Sequence, residues 1–191
     1  MKIWKNTNTL DNFDQGLVFT TIQEEAQIAL IGSKKLDLTN FSSLKGIFRA
    51  GIGKDNVPEE EALARNIKVK YPSNETINTI YRETASFTCS LVFKMLYDDV
   101  GTIDPWIKKS RNQLCSKNLL IIGNGNIGKM VFRFLNPFMN VYTYDILQNS
   151  PDELIPMIQK ADCITIHIPK TDNNNSFFNQ KLLSYMKNGS A

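Results

Sequence analysis

The sequence is poor in the residues that bind metals and cross-link chains. It holds one histidine and three cysteines in 191 residues. Cys89, Cys115 and Cys163 are far apart and odd in number. They offer neither a disulfide framework nor a C-x-x-C metal pair. Each lies in or beside an apolar segment, which predicts buried free thiols and a cytoplasmic setting. With His167 as the sole imidazole, no metal site is expected.

Long hydrophobic runs are lacking too. No apolar stretch approaches the roughly 20 residues that a helix needs to span a bilayer. The opening "MKIWKNTNTL" has no apolar core and no small-residue cleavage site, so it does not read as a signal peptide. Nor is there an excess of one charge: 22 basic residues face 19 acidic ones, a net of +3. That balance argues against a nucleic-acid partner. Lys34-Lys35 and Lys108-Lys109 read as solvated surface. What is present is apolar residue, 42% of the chain, enough for a packed core rather than disorder.

Short β-type runs alternate with helical ones. "IALIG", "GIFRAG" and "IKVKYP" read as strands, and "DNVPEEEALARN" between the last two as a helix. Pro58 suits its first position, Glu59 to Glu61 suit the positive end of its dipole, and Asn66 suits a left-handed stop. This strand–helix–strand order belongs to a parallel α/β sheet. A helix is predicted from about Ile80 to Tyr97, with Ala85, Thr88, Cys89, Val92 and Leu96 as its stripe. "DDVGTIDPWIKKSRNQ" reads as a connector with one short helix. In "SPDELIPMIQKA", Ser150 is the expected cap and Pro156 the expected interruption. "CITIHIP" reads as a buried strand, and "FFNQKLLSYMKNG" as a last helix stopped by Gly189. The first 25 residues carry little signal. Two α/β lobes are expected, 1–84 and 85–191.

The densest signal is "LLIIGNGNIGKMVFRFL". Gly123, Gly125 and Gly128 follow an apolar strand and open a helix whose Ile127, Val131, Phe134 and Leu135 share a face. "VYTYD" then supplies a second strand ending in Asp145, 22 residues beyond Gly123, where a dinucleotide fold expects an acid after about 20. Gly123 permits the turn, Gly125 lets backbone approach a pyrophosphate, and Gly128 lets helix pack on strand. Amides around Asn126 and Ile127 would meet the phosphates. Asp145 would accept from the ribose hydroxyls and repel a 2′-phosphate, favouring NAD over NADP. The bland alternative is a tight turn with no ligand, and a flavin is the alternative ligand.

With these residues the chain resembles the D-2-hydroxyacid dehydrogenases, most closely their D-3-phosphoglycerate dehydrogenase branch. "FRAGIGKDNV", "EEEALARNIKV", "LLIIGNGNIGKMV", Asp145 and "ADCITIHIPKT" stand in the family's order. The resemblance implies a flavodoxin-like substrate lobe, an incomplete Rossmann NAD lobe and a cleft between them. It also implies a small 2-hydroxy or 2-oxo acid as substrate, and a homodimer in the full-length protein. Gly51, Ile52 and Gly53 are implied as a backbone clamp for the substrate carboxylate. Arg49 either reaches an anionic substrate or pairs with a surface acid. Asn74 is a further candidate in a loop, "PSNETIN", at the cleft mouth. His167, with Pro169 and Thr171, is implied to line the NAD pocket; the alternatives are a hydrogen-bonded strand-end histidine and a catalytic base.

The family's substrate-orienting arginine and its acid–base histidine with carboxylate partner lie beyond the match to "YMKNGSA". No catalytic residue is therefore expected within this chain, which reads as the N-terminal portion of a longer enzyme. The competing readings are a non-catalytic NAD-binding module and a regulatory or structural Rossmann-like protein.

Overall fold

The computed structural model describes residues 1–97 and 101–191. The chain divides into two compact units, 1–80 and 81–191. In the first unit the strands are β1 (Lys2–Lys5), β2 (Val18–Phe19), β3 (Ile28–Ile31), β4 (Gly46–Arg49) and, after the short helix α1 (Glu59–Ala64), β5 (Lys68–Lys70). They form one parallel sheet in the order β2-β1-β3-β4-β5. Ile31, Leu38 and Ile47 are fully buried in its core beside Phe41 and Ala62. Each large aliphatic side chain so buried contributes about 1.5–3 kcal/mol. Because the strands are parallel, the chain leaves β1, β3 and β4 on the same edge. Asn6 ties two of these exits together, its Oδ1 accepting the Gly32 N–H at 2.8 Å.

The division falls within α2 (Asn74–Tyr97), and the sequence estimate at residue 84 lies in the same helix. Beyond it come a small antiparallel pair, β6 (Gly101–Thr102) and β7 (Ile107–Lys108). Then follow β8 (Asn118–Ile122), α3 (Asn126–Leu135), β9 (Asn140–Tyr144), α4 (Leu154–Lys160), β10 (Cys163–Ile166) and α5 (Gln180–Leu183). The parallel sheet runs β10-β8-β9, with β8 central. Side chains alternate across it. Leu119 and Ile121 pack with Ala85, Val92, Val131 and Leu135 on the α2–α3 side. Leu120 and Ile122 pack with Tyr144, Leu154 and Ile158 on the α4 side.

Several expectations change. The weakly patterned N-terminus supplies two strands, and Trp4 packs edge-on against Phe41 at 5.3 Å. β1 was illegible because a lysine stands at each end of its four residues. α2 starts at Asn74 rather than Ile80, since the Ser73 hydroxyl accepts the Thr76 N–H at 3.2 Å and caps a first turn of polar residues. Asn74 is thus helical, not part of a loop. Pro58 precedes α1 rather than opening it. Asn66 does end that segment in the left-handed region, φ 58°.

Among its described residues the connector holds the β6–β7 hairpin and no helix, and a 3-10 turn at Leu114–Ser116 follows it; its residues 98–100 lie outside the described residues. Pro156 does not interrupt α4, because it sits in the first turn, where its missing N–H costs nothing. Ser150 and Glu153 form the capping box before it. The last helix is one turn, Gln180–Leu183, capped by Asn179, and ends well before Gly189.

Cys89 and Cys163 are buried but Cys115 is exposed, at a 3-10 turn rather than in the core. Burial raises the Cys89 thiol and pushes the Cys163 thiol up to about 11. β10 is an edge strand, so its burial is partial and Ile166 is 42% exposed. Among the described residues its outer side bonds to Ala191, whose carbonyl accepts the Ile164 N–H at 2.7 Å and whose N–H donates to the Asp162 carbonyl at 3.1 Å.

Candidate functional site

The three loop glycines have three different physical reasons. Gly123 leaves β8 with φ +99°, and a Cβ there would stand 2.5 Å from the His167 carbonyl oxygen. Its N–H continues the β8–β9 ladder to the Tyr144 carbonyl at 2.8 Å. Gly128 packs against that turn so closely that a Cβ would lie 2.0 Å from the Gly123 carbonyl oxygen. These two are explained by packing alone. Gly125 is not: its φ of −78° and ψ of −161° suit any residue, and a Cβ there would meet nothing within 4 Å. The open space over Gly125 is at the start of α3, where no side chain caps the helix. The first amides of a helix lack internal acceptors, so those of Asn126 and Ile127 are open to an anion.

Asp145 stands at the end of β9. Its Oδ2 accepts the Asn124 N–H at 2.8 Å and its Oδ1 accepts the Leu147 N–H at 3.0 Å. A carboxylate has about four acceptor positions, so one on each oxygen stays open for a hydroxyl. The loop around it is braced. Asn124 donates to Gln148 Oε1 at 2.9 Å, and Asn149 Oδ1 accepts the Asp145 N–H at 2.9 Å. Asn124 and Asn149 were missed from the sequence. The spacing of Asn149, four residues after the acid, was the available signal.

His167 donates its backbone N–H to the Ile122 carbonyl at 2.7 Å, which fixes β10 against β8 just before the glycine turn. Its Nε2 lies 3.0 Å from the Thr165 hydroxyl. Burial lowers its pKa from an ordinary 6.5, so the ring is held neutral. Pro169 and Thr171 follow in a loop tied by Asn174, whose Nδ2 donates to the Pro169 carbonyl at 2.9 Å and whose N–H donates to the Thr171 carbonyl at 3.1 Å. The structure thus gathers Gly123, Gly125, Asn126, Ile127, Gly128, Asp145 and His167 around the strand ends of one sheet.

The neutral ring has a consequence for stability. The unfolded chain takes up a proton near pH 6.5, before the folded chain does. Stability therefore falls as pH drops below about 6.5, since the unfolded state binds more protons there. A lower urea midpoint is expected at pH 5.5 than at pH 7.5, and a smaller difference in His167→Gln. An equal difference in the variant would show that another group carries it.

In the first unit, Arg49 ends β4 and is 8% exposed. Its Nε donates to Asn56 Oδ1 at 3.0 Å. Among the described residues it makes no ion pair. The guanidinium lies over the glycine turn: a Cβ on Gly51 would stand 2.2 Å from Nη1, and one on Gly53 would stand 3.7 Å from Nη2. Gly51 spends its own N–H on the Arg49 carbonyl at 2.9 Å. No backbone hydrogen bond of the Ile52 or Gly53 N–H is seen among the described residues. Asn56, unforeseen in the sequence, is the hub. It is 4% exposed, and its Nδ2 donates to the carbonyls of Gly32 at 2.7 Å and Lys34 at 2.9 Å. Asn74 belongs to α2 and, among the described residues, makes no side-chain bond to this loop.

Residues 101–191 match the family described as "D-isomer specific 2-hydroxyacid dehydrogenase, NAD binding domain". Among curated proteins, the chain is 27% identical over 157 residues to a hydroxypyruvate reductase of Thermotoga maritima, covering 77% of this chain and 51% of that protein. It is 28% identical over 168 residues to the D-3-phosphoglycerate dehydrogenase of Bacillus subtilis, covering 80% of this chain and 32% of that one. The chain thus spans about half the length of these relatives, or less. Among solved structures, apo D-lactate dehydrogenase from Escherichia coli superposes with a TM-score of 0.74 at 19% identity, over 100% of this chain and 72% of that one. The NAD+-bound 3-phosphoglycerate dehydrogenase of Entamoeba histolytica gives 0.66 at 20% identity, over 98% and 68%. At such identities the superpositions establish the fold alone: α/β units, the second with a Rossmann-type parallel sheet. The resemblance drawn from the motifs recurs in all of these comparisons.

Proposed function

We propose that this chain is the N-terminal portion of an NAD-dependent oxidoreductase acting on the CH–OH group of a small D-2-hydroxy acid, in the manner of phosphoglycerate dehydrogenases. The observation that carries the reading is Gly125, a glycine that neither backbone strain nor packing demands, at the open start of α3. The space left by its missing side chain fits the approach of a diphosphate. In this reading the amides of Asn126 and Ile127 hold that diphosphate, and Asp145 accepts from the ribose. His167, Pro169 and Thr171 border the same pocket. Bound NAD supplies the hydride acceptor. The Ile52 and Gly53 amides and the two free nitrogens of Arg49 hold the substrate carboxylate, which suits a bidentate guanidinium.

The two hydrogen bonds of Ala191 to the outer side of β10 support a further strand continuing from there. Such a strand would carry the substrate-orienting arginine, with the acid–base pair beyond it. The 191-residue chain is accordingly expected to bind NADH weakly or not at all and to turn over no 2-oxo acid. The product of the full reading frame is expected to bind NADH at micromolar concentrations, and Asp145→Ala to weaken that binding at least tenfold. Unchanged binding in a folded Asp145→Ala variant would overturn the proposal. NADH binding by the full product, with no turnover of any 2-oxo acid, would leave a non-catalytic module.

A homodimer of the full-length protein belongs to the same proposal. Phe87, Leu91 and Met95 form a second stripe on α2 and are 65%, 45% and 58% exposed. Ile103 and Trp106 between β6 and β7 are 86% and 75% exposed. Leu91→Glu is expected to convert a dimer into a folded monomer in sedimentation velocity. An unchanged sedimentation coefficient would place the contact elsewhere.

A further inference from the structure

We infer that the open edge of β9 and the adjoining flank of α3 form a docking site for an extended acidic peptide. Among the described residues β9 pairs with β8 alone. The Asn140 N–H donates to the Lys117 carbonyl at 2.9 Å, and the Tyr144 carbonyl accepts the Gly123 N–H at 2.8 Å. Residues 140, 142 and 144 therefore face β8. The N–H and C=O groups of Val141 and Thr143 face the other way, toward no strand. In a doubly wound sheet a third strand ordinarily lies outside the second. Here six residues, Asp145 to Ser150, lead directly from β9 into the 3-10 turn that precedes α4, and no strand intervenes.

Beside this bare edge lies an open cavity of about 310 Å³, lined by Asn124, Lys129, Phe132, Arg133 and Thr143. Lys129 and Arg133 are four residues apart on α3, and neither makes an ion pair among the described residues. Like charges at that spacing repel each other, so neither supports the other, although Arg133 in the last turn suits the helix dipole. Four residues of helix rise about 6 Å. Alternate side chains of an extended strand are about 6.6 Å apart. A peptide paired to Val141 and Thr143 thus places two acids, two residues apart, opposite the two cations. Phe132 offers an apolar floor between them. Two cations are too few for a nucleic-acid track, and free main-chain donors and acceptors on a strand edge call for another main chain.

The opposing idea is that Lys129 and Arg133 merely guard an exposed edge against pairing. The two ideas separate in one titration of the 191-residue chain, read by fluorescence anisotropy with a fluorescein-labelled octapeptide alternating valine and glutamate. Saturable binding at tens to hundreds of micromolar is expected. It should weaken at least tenfold in the double variant Lys129→Glu, Arg133→Glu, shown to be folded by circular dichroism. It should also weaken at least tenfold when alternate peptide amides are N-methylated, which removes strand pairing and keeps every charge. No saturable binding, or equal binding of the N-methylated peptide, or equal binding of a valine–lysine peptide, would each overturn the proposal. The titration contains no dinucleotide, so its failure leaves the cofactor reading untouched.

Discussion

Gly128→Ala is expected to destabilise the second unit by about 3 kcal/mol or more, the upper end for overpacking, while Gly125→Ala stays within about 0.5 kcal/mol of the parent. The two residues are three apart in one loop, and only their surroundings differ. A methyl group on Gly128 would sit 2.0 Å from the Gly123 carbonyl oxygen and 3.4 Å from Ile121 Cγ2. Both partners belong to the β8 exit, which is held to β9 by the Gly123 N–H and to β10 by the Ile122 carbonyl. Relief therefore requires a shift of α3 as a body, at the expense of Val131 and Leu135, both fully buried. Gly123→Ala has a comparable cost, because φ +99° adds strain to the contact with the His167 carbonyl. Urea denaturation followed by far-ultraviolet circular dichroism reads these losses, since α2, α3 and α4 supply most of the helix. Gly125→Ala has the opposite profile: unchanged unfolding, and, in the product of the full reading frame, loss of the amide chemical-shift changes that NADH is expected to induce in residues 124–129. If Gly125→Ala unfolds like Gly128→Ala, the glycine is structural and the diphosphate reading loses its support.

The same contrast shows what a sequence reader can and cannot see. The G-x-G-x-x-G spacing was legible because strand period, glycines and helix period adjoin within 17 residues, and all of them reflect local backbone needs. Asp145 was legible as the end of an apolar strand. Its pinning by the Asn124 and Leu147 amides was not, because asparagine and leucine amides bear no distinguishing mark in a sequence. β1 was hidden by its flanking lysines, since one buried residue, Ile3, leaves no periodicity to detect. The early start of α2 was hidden because its first turn is polar and depends on a serine cap, not on an apolar stripe. Arg49 was legible as a candidate, but its choice between substrate and surface acid was not. Its anchor, Asn56, lies seven residues on and is brought to it by the fold.

Asn56→Ala is expected to cost the first unit about 3 kcal/mol, on the scale of about 1–3 kcal/mol for each buried polar group left unpaired. The side chain is 4% exposed and closes three hydrogen bonds: to the Gly32 and Lys34 carbonyls and from Arg49 Nε. Truncation strands all three partners, two of them in buried hydrogen bonds. Asn56→Asp is the sharper test. Its carboxylate would pair with Arg49 but would meet the two carbonyls with oxygen instead of an N–H, so it is expected to be no more stable than the alanine variant. Trp4 makes the measurement specific to this unit, because it packs against Phe41 there, whereas Trp106 is already 75% exposed. The consequence for binding follows from the same bonds. With Nε anchored, Arg49 keeps Nη1 and Nη2 over the Gly51–Gly53 turn and free for a carboxylate. Without the anchor the guanidinium is free to turn, and affinity for a 2-oxo acid in the full-length protein should fall in both variants. An Asn56→Ala variant that unfolds at the parent's urea midpoint would show that neither the turn nor the arginine depends on this hub.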